Sequence, residues 1–133
     1  MTHPADEAHT HAIARLAASQ PGLCLLVLFG SRARGDAGET SDWDLGYLAD
    51  ASFDPLRLLG DLVAILGTDR VDLVDLRPAG AQVRFRAARD GRPLHAADED
   101  VFPRFWMEAV SFWCDAGPAI RSGYADVLAE LGR

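Results

Sequence analysis

The chain has 133 residues, 49% of them hydrophobic, which suits a single domain spanning residues 1–133 with a buried core and argues against a disordered or repetitive protein. A formal net charge of -7 would repel a nucleic-acid backbone over most of the surface, so direct nucleic-acid binding is disfavoured except through a local basic patch. The sequence contains no lysine, which excludes a Walker-type phosphate lysine and Schiff-base chemistry and leaves arginine to supply the fixed positive charge.

The first residues are acidic and alanine-rich, and no apolar run approaches membrane-spanning length. A cytoplasmic protein without a membrane partner is expected. Pro4 with Asp6 and Glu7 makes a favourable helix start, Ile13, Leu16 and Ala17 give an apolar stripe, and Pro21-Gly22 ends the element. His9 and His11 do not share a helix face, so no metal site is read there. An apolar strand, Leu23 to Phe29, runs directly into Gly30-Ser31 and then a short helix across Arg32 to Arg34. A glycine-containing loop from Gly35 to Thr40 precedes a second strand, Asp42 to Leu48.

Asp54 can cap the next helix with Pro55 in its first turn; Leu58, Leu59, Leu62, Val63 and Leu66 form one face and Gly67 stops it. Val71 to Leu76 reads as strand three. A helix from about Ala79 to Asp90 is stopped by Gly91, and the run Arg92 to His95 is edge-like because Pro93 lacks the N–H an inner strand needs. The rest is helical in pattern. Phe102, Phe105, Trp106, Ala109, Val110 and Trp113 recur at helical spacing, Gly117-Pro118 breaks the run, and a last helix spans Ala119 to Leu131. These aromatics suit either core packing or a partner-docking surface. Cys24 and Cys114 sit among apolar residues without metal-like spacing and read as reduced core residues.

The chemistry gathers around the first two strands. Gly30 lets the backbone approach a phosphate without an intervening side chain, and Ser31 adds a hydroxyl donor. Ten residues separate Gly30-Ser31 from Asp42. On a strand, residues two apart face the same way, so Asp42 and Asp44 present two carboxylates on one side. Two carboxylates ~4 Å apart repel by ~4 kcal/mol at an effective dielectric of about 20, and a divalent cation relieves that repulsion. Mg2+ takes hard oxygen ligands, one or two of them carboxylates, and fills its octahedron with water and phosphate oxygens. Arg32 and Arg34, directly after the turn, are candidates to meet phosphate oxygens with their guanidinium forks, the alternative being a solvated helix face.

The run Gly30-Ser31-Arg32-Ala33-Arg34-Gly35, followed by Ser41-Asp42-Trp43-Asp44-Leu45, resembles the signature of the minimal nucleotidyltransferase (MNT) branch of the DNA polymerase beta-like superfamily. The likeness extends through Val71-Asp72-Leu73-Val74, Gly91-Arg92-Pro93-Leu94 and the aromatic-rich ending to Tyr124, and is similar overall to MntA-type antitoxins of HEPN/MNT toxin–antitoxin pairs. One departure is Gly46-Tyr47, where an unbroken aliphatic strand is commoner. The resemblance implies an α/β nucleotidyltransferase fold: a small mixed β-sheet with flanking helices and two C-terminal helices. It also implies a third carboxylate on a later strand, for which Asp72 is the candidate and Asp75 the competitor. Their odd separation puts them on opposite faces, and Asp75, just before Arg77-Pro78, suits a strand-end or capping role.

By that resemblance the chain transfers AMP from ATP to a hydroxyl acceptor, a tyrosine of a HEPN-domain ribonuclease toxin, with which it would form a hetero-oligomer. Two Mg2+ ions would be held by Asp42, Asp44 and Asp72, with Gly30, Ser31 and Arg32 or Arg34 on the leaving phosphates. The alternatives are a small-molecule nucleotidyltransferase, which generally needs a further acceptor-binding domain, and a binding-only inhibitor of the toxin.

Overall fold

The apolar run Leu23–Phe29 has no polar face, and it forms an inner strand, β1, buried on both sides. The computed structural model describes residues 4–38 and 40–115. In chain order these contain α1 (Pro4–Ala18), β1, α2 (Gly30–Arg34), β2 (Trp43–Ala49), α3 (Pro55–Leu66), β3 (Val71–Asp75), α4 (Ala81–Asp90), β4 (Arg92–Ala96) and α5 (Val101–Asp115). The sheet order is β3-β2-β1-β4, with β1 antiparallel to both β2 and β4 and β2 parallel to β3. This is the mixed sheet with flanking helices that the sequence led us to expect. Of the two C-terminal helices, α5 is the first; the Gly117-Pro118 break and the helix over Ala119 to Leu131 lie outside the described residues.

Alternation along the strands divides the core in two. Leu26, Leu28, Trp43 and Leu45 face α1 and α3, meeting Ile13, Ala17, Leu58 and Leu62. Leu25, Val27 and Phe29 face α4 and α5, meeting Ala87, Ala88, Phe105 and Ala109. Asp54 caps α3 by accepting from the Arg57 N–H at 3.2 Å, and Gly67, at φ +67°, closes it by donating its N–H to the Val63 carbonyl at 3.0 Å. Pro93 lies on the edge strand, where the register of β4 against β1 slips between Leu26 and Val27. Gly46 has a packing reason: a Cβ there would stand 2.8 to 2.9 Å from the buried Leu76 side chain. The glycine that departs from the commoner aliphatic pattern makes room for the leucine that follows β3.

The expectation that both cysteines lie in the core needs correction. Cys114 is exposed and Cys24 only half-buried, both as free thiols. Cys114 lies five residues beyond the buried Ala109, about 140° round the helix from it, and so on the outer side of α5. The aromatic stripe is likewise split: Phe105 is buried, whereas Trp106 and Phe112 are 43% and 48% exposed. Trp113 is half-buried and stacks on Phe85 with ring centres 4.7 Å apart. Among the described residues no helix is long and apolar enough to cross a membrane.

Candidate active site

Because β1 and β2 run antiparallel and β3 runs parallel to β2, the end of β1 and the starts of β2 and β3 share one margin of the sheet. Phe29 pairs with Asp44, and Asp44 pairs with Asp72. Residues in register share a face, so Asp44 and Asp72 both look toward the α4 and α5 side. At the same margin the chain leaves β1 through Gly30, whose φ of +72° suits glycine. A Cβ on Gly30 would run into the Asp44 carboxylate, so the backbone of the turn lies directly against that acid. The Ser31 carbonyl accepts from the N–H groups of Gly35 and Asp36 at 3.0 and 3.1 Å, which closes α2 one turn after Gly30-Ser31.

Asp44 is half-buried, and Asp42, one residue before β2, is exposed. Burial chiefly, and then the fields of Asp72 and Asp42, push the Asp44 carboxyl above its ordinary value, while Arg86 and Arg34 draw it down. The sequence groups Asp42, Asp44 and Asp72 as candidates, and in the fold the fields of Asp42 and Asp72 both reach Asp44. Asp75 does not join them. Its register partner is Tyr47, which packs on the α1 and α3 side, and its Oδ1 accepts from the Arg77 N–H at 3.0 Å, a strand-end role.

The two arginines of the turn separate. Arg32, taken from sequence as a phosphate contact, is turned away from the carboxylates. Its guanidinium donates to the Ser41 carbonyl at 2.9 and 3.2 Å, pairs with Asp6 at 3.1 Å and lies 4.2 Å from the centre of the buried Trp43 ring. Trp43 belongs to the α1 and α3 core, so Arg32 ties the loop and α1 to the opposite face. Spacing alone could not reveal this, because a five-residue helix sends neighbouring side chains to different sides. Arg34 is exposed and close enough to draw on Asp44, but it also bonds Asp36 and Asp90, each at 3.3 Å. Arg86, which the sequence reading did not single out, reaches the site from α4. Its signal is visible only once α4 is known to cover the carboxylate face.

Asp90, at the end of α4, joins Arg34 and Arg89, the latter at 2.9 Å. Burial would raise its carboxyl, but hydrogen bonds and charge from Arg89 and Arg34 outweigh burial and hold it below the ordinary value. A lowered carboxyl contributes stability that is complete above the unfolded-state value and is lost as pH falls through the folded-state value. Asp90→Asn is therefore expected to cost ~1 kcal/mol near neutral pH, with the difference from wild type vanishing as acid protonates the native carboxylate. Paired thermal or urea unfolding curves between neutral and acidic pH check it; a difference that does not shrink in acid would count against the ion pairs.

The donor set at the margin is all carboxylate oxygen, the chemistry Mg2+ selects. Among the described residues no three of His, Cys, Asp and Glu stand close enough in their present rotamers to enclose an ion. Asp44 is raised above its ordinary value by burial first, and then by the fields of Asp72 and Asp42. The residues fit a divalent cation in type, and Asp44 and Asp72 share one sheet face.

A phosphate-type glycine turn packed on an acidic strand pair in a mixed sheet defines a class of protein. Residues 11–100 match the polymerase beta nucleotidyltransferase family, and the chain belongs to it. It is 35% identical to the protein adenylyltransferase MntA of Aphanizomenon flos-aquae (strain 2012/KM1/D3), over 68% of this chain and 69% of that protein. Among solved structures, a toxin–antitoxin crystal structure with AMP-PNP superposes with a TM-score of 0.67 at 25% identity, covering 94% of this chain and 98% of that one. A complex of tri-AMPylated Shewanella oneidensis HEPN toxin with MNT antitoxin gives 0.65 at 23% identity, covering 96% and 99%, a likeness of fold.

Proposed function

We propose that this chain is a protein adenylyltransferase that moves AMP from ATP to a tyrosine of a HEPN ribonuclease toxin and thereby acts as its antitoxin. The observation that carries the reading is the contact between the Gly30 turn and the Asp44 carboxylate, with Asp72 in register beside it. The place for phosphate and the place for a cation adjoin. The relatives that this chain resembles act on a protein, and the structures of like fold pair an antitoxin with a toxin.

The acceptor oxygen attacks the α-phosphorus in line, a new P–O bond forms, the bond from the α-phosphorus to the bridging oxygen breaks, and pyrophosphate leaves with that electron pair. Asp42 and Asp44 would hold Mg2+, and Asp72 would complete their acidic set and take the hydroxyl proton as the nearest base. Gly30 and Ser31 bind the departing phosphates through backbone N–H groups and the serine hydroxyl. Mg2+, when bound, supplies charge neutralisation to the triphosphate and eases ionisation of the attacking hydroxyl. Arg32 belongs to the scaffold.

The test uses purified chain, ATP, Mg2+ and a HEPN-like protein encoded beside it. Label in the α-phosphate of ATP should appear covalently on the partner and label in the γ-phosphate should not. Label from the γ-position would indicate a kinase, and a stable complex without label from either would favour an inhibitor that only binds.

A further inference from the structure

The arginines around the carboxylate margin are nearly all committed to partners within the chain. Arg32 is held by Asp6, Ser41 and Trp43; Arg34 by Asp36 and Asp90; Arg89 by Asp90. Arg84, further along the same face, donates to the Leu76 and Arg77 carbonyls at 2.9 and 3.3 Å. Arg92 pairs with Glu7 at 3.1 Å. Arg86 differs from all of these. Among the described residues it makes no hydrogen bond and no ion pair; its guanidinium carbon lies 5.9 Å from the centre of the Phe29 ring.

That position has a chemical consequence. Phe29 is 4% exposed and immediately precedes Gly30, so a guanidinium placed against its ring stands at the entrance to the glycine turn. The side chain is half-buried, and its positive field reaches Asp44. A half-buried guanidinium with its donors unspent, next to a phosphate turn and on the same sheet face as the acids, is suited to a multiply charged anion. Arginine offers planar forks that match phosphate oxygens, and ring contact restricts the side chain before the ligand arrives.

We propose that Arg86 binds the β- and γ-phosphates of the nucleotide and holds the pyrophosphate as it departs. The proposal rests on the nucleotidyltransferase reading and adds a substrate-binding residue to it. The acids at the margin serve the cation, the glycine turn supplies backbone donors, and Arg86 supplies the fixed positive charge that the absence of lysine leaves to arginine. Selectivity for a triphosphate over a monophosphate follows, since AMP lacks the β- and γ-phosphates that Arg86 would grip.

The experiment is calorimetric titration of the full chain with α,β-methylene ATP, whose bridge resists cleavage, and separately with AMP, both with Mg2+. Arg86→Ala should weaken the triphosphate analogue about tenfold or more while changing AMP less than about twofold, and Arg86→Lys should fall between, keeping the charge without the fork. Arg57→Ala, on exposed α3 across the sheet, should match wild type for both ligands. Thermal unfolding of each variant identifies any loss of fold, and Arg86→Lys carries the test should Arg86→Ala not fold. Equal affinities in wild type and the Arg86 variants, or equal weakening of AMP and the analogue, would overturn the proposal. Failure of the wild type to bind the analogue at all would overturn the nucleotide reading of the site, and this assignment with it.

Discussion

Replacing Asp42 and Asp44 together by asparagine is expected to lower AMP transfer by about a thousandfold or more while leaving the chain folded. An amide is a far weaker ligand for a hard divalent cation than a carboxylate, and a loss of several kcal/mol in charge stabilisation corresponds to that range of rate. Folding should survive because neither side chain fills the core: Asp42 is exposed, and Asp44 is held above its ordinary value by burial and by its acidic neighbours. Removing two of three mutually repelling charges relieves the native state. The metal-free variant should therefore unfold no lower than the metal-free wild type, and Mg2+ should raise the unfolding temperature of the wild type more than that of the variant. Circular dichroism melts beside a single-turnover transfer assay separate the two effects. Activity within tenfold of wild type would move the chemistry away from these acids.

The second large effect distinguishes Asp72 from Asp75. Asp72→Asn should reduce transfer by about a hundredfold or more, because it removes the acid in register with Asp44 and the proposed base for the acceptor proton. Asp75→Asn should change transfer little and cost ~1 kcal/mol of stability or less, since its work is to accept from the Arg77 N–H. Loss of transfer in Asp75→Asn with Asp72→Asn unaffected would place the third acid on the opposite sheet face and contradict the proposed site. The pH dependence of the single-turnover rate adds a readout that a purely structural role for Asp72 would not move.

Much of this arrangement was legible in the sequence, for identifiable reasons. The glycine turn after an unbroken apolar strand and the Asp54-Pro55 cap are local features, and local chemistry sets them, whereas β2 begins at Trp43, one residue after Asp42. Pro93 announced an edge strand because a missing N–H is tolerated there. What could not be read depended on contacts between distant parts of the chain. Arg32 meets Asp6 and Trp43 through the packing of α1, so a residue next to the phosphate turn in sequence points to the other face. Arg86 lies 56 residues after Gly30 in the chain and reaches the site only because α4 covers the same side of the sheet as Asp44. The aromatic pattern of α5 gave a helix but not its rotation: Phe105 turns inward and Trp106, its neighbour, outward. Gly46 departs from the commoner aliphatic pattern because the Leu76 side chain occupies the space above it.

Binding and modification of the proposed HEPN-like partner should be separable, because partner contacts need not pass through the carboxylates. The exposed rings Trp106 and Phe112 offer anchors of the kind interfaces use, and the acidic chain suits a basic nuclease surface. The most direct measurement is the intact mass of the HEPN-like partner purified from cells that co-express it with the wild-type chain or with the Asp42→Asn, Asp44→Asn form. Both forms are expected to retain the partner on pull-down, only the wild type to add whole AMP units to it, and peptide sequencing to place each unit on tyrosine. An unmodified partner with the wild-type chain, in cells supplying ATP and Mg2+, would contradict the transferase account and leave inhibition by binding alone.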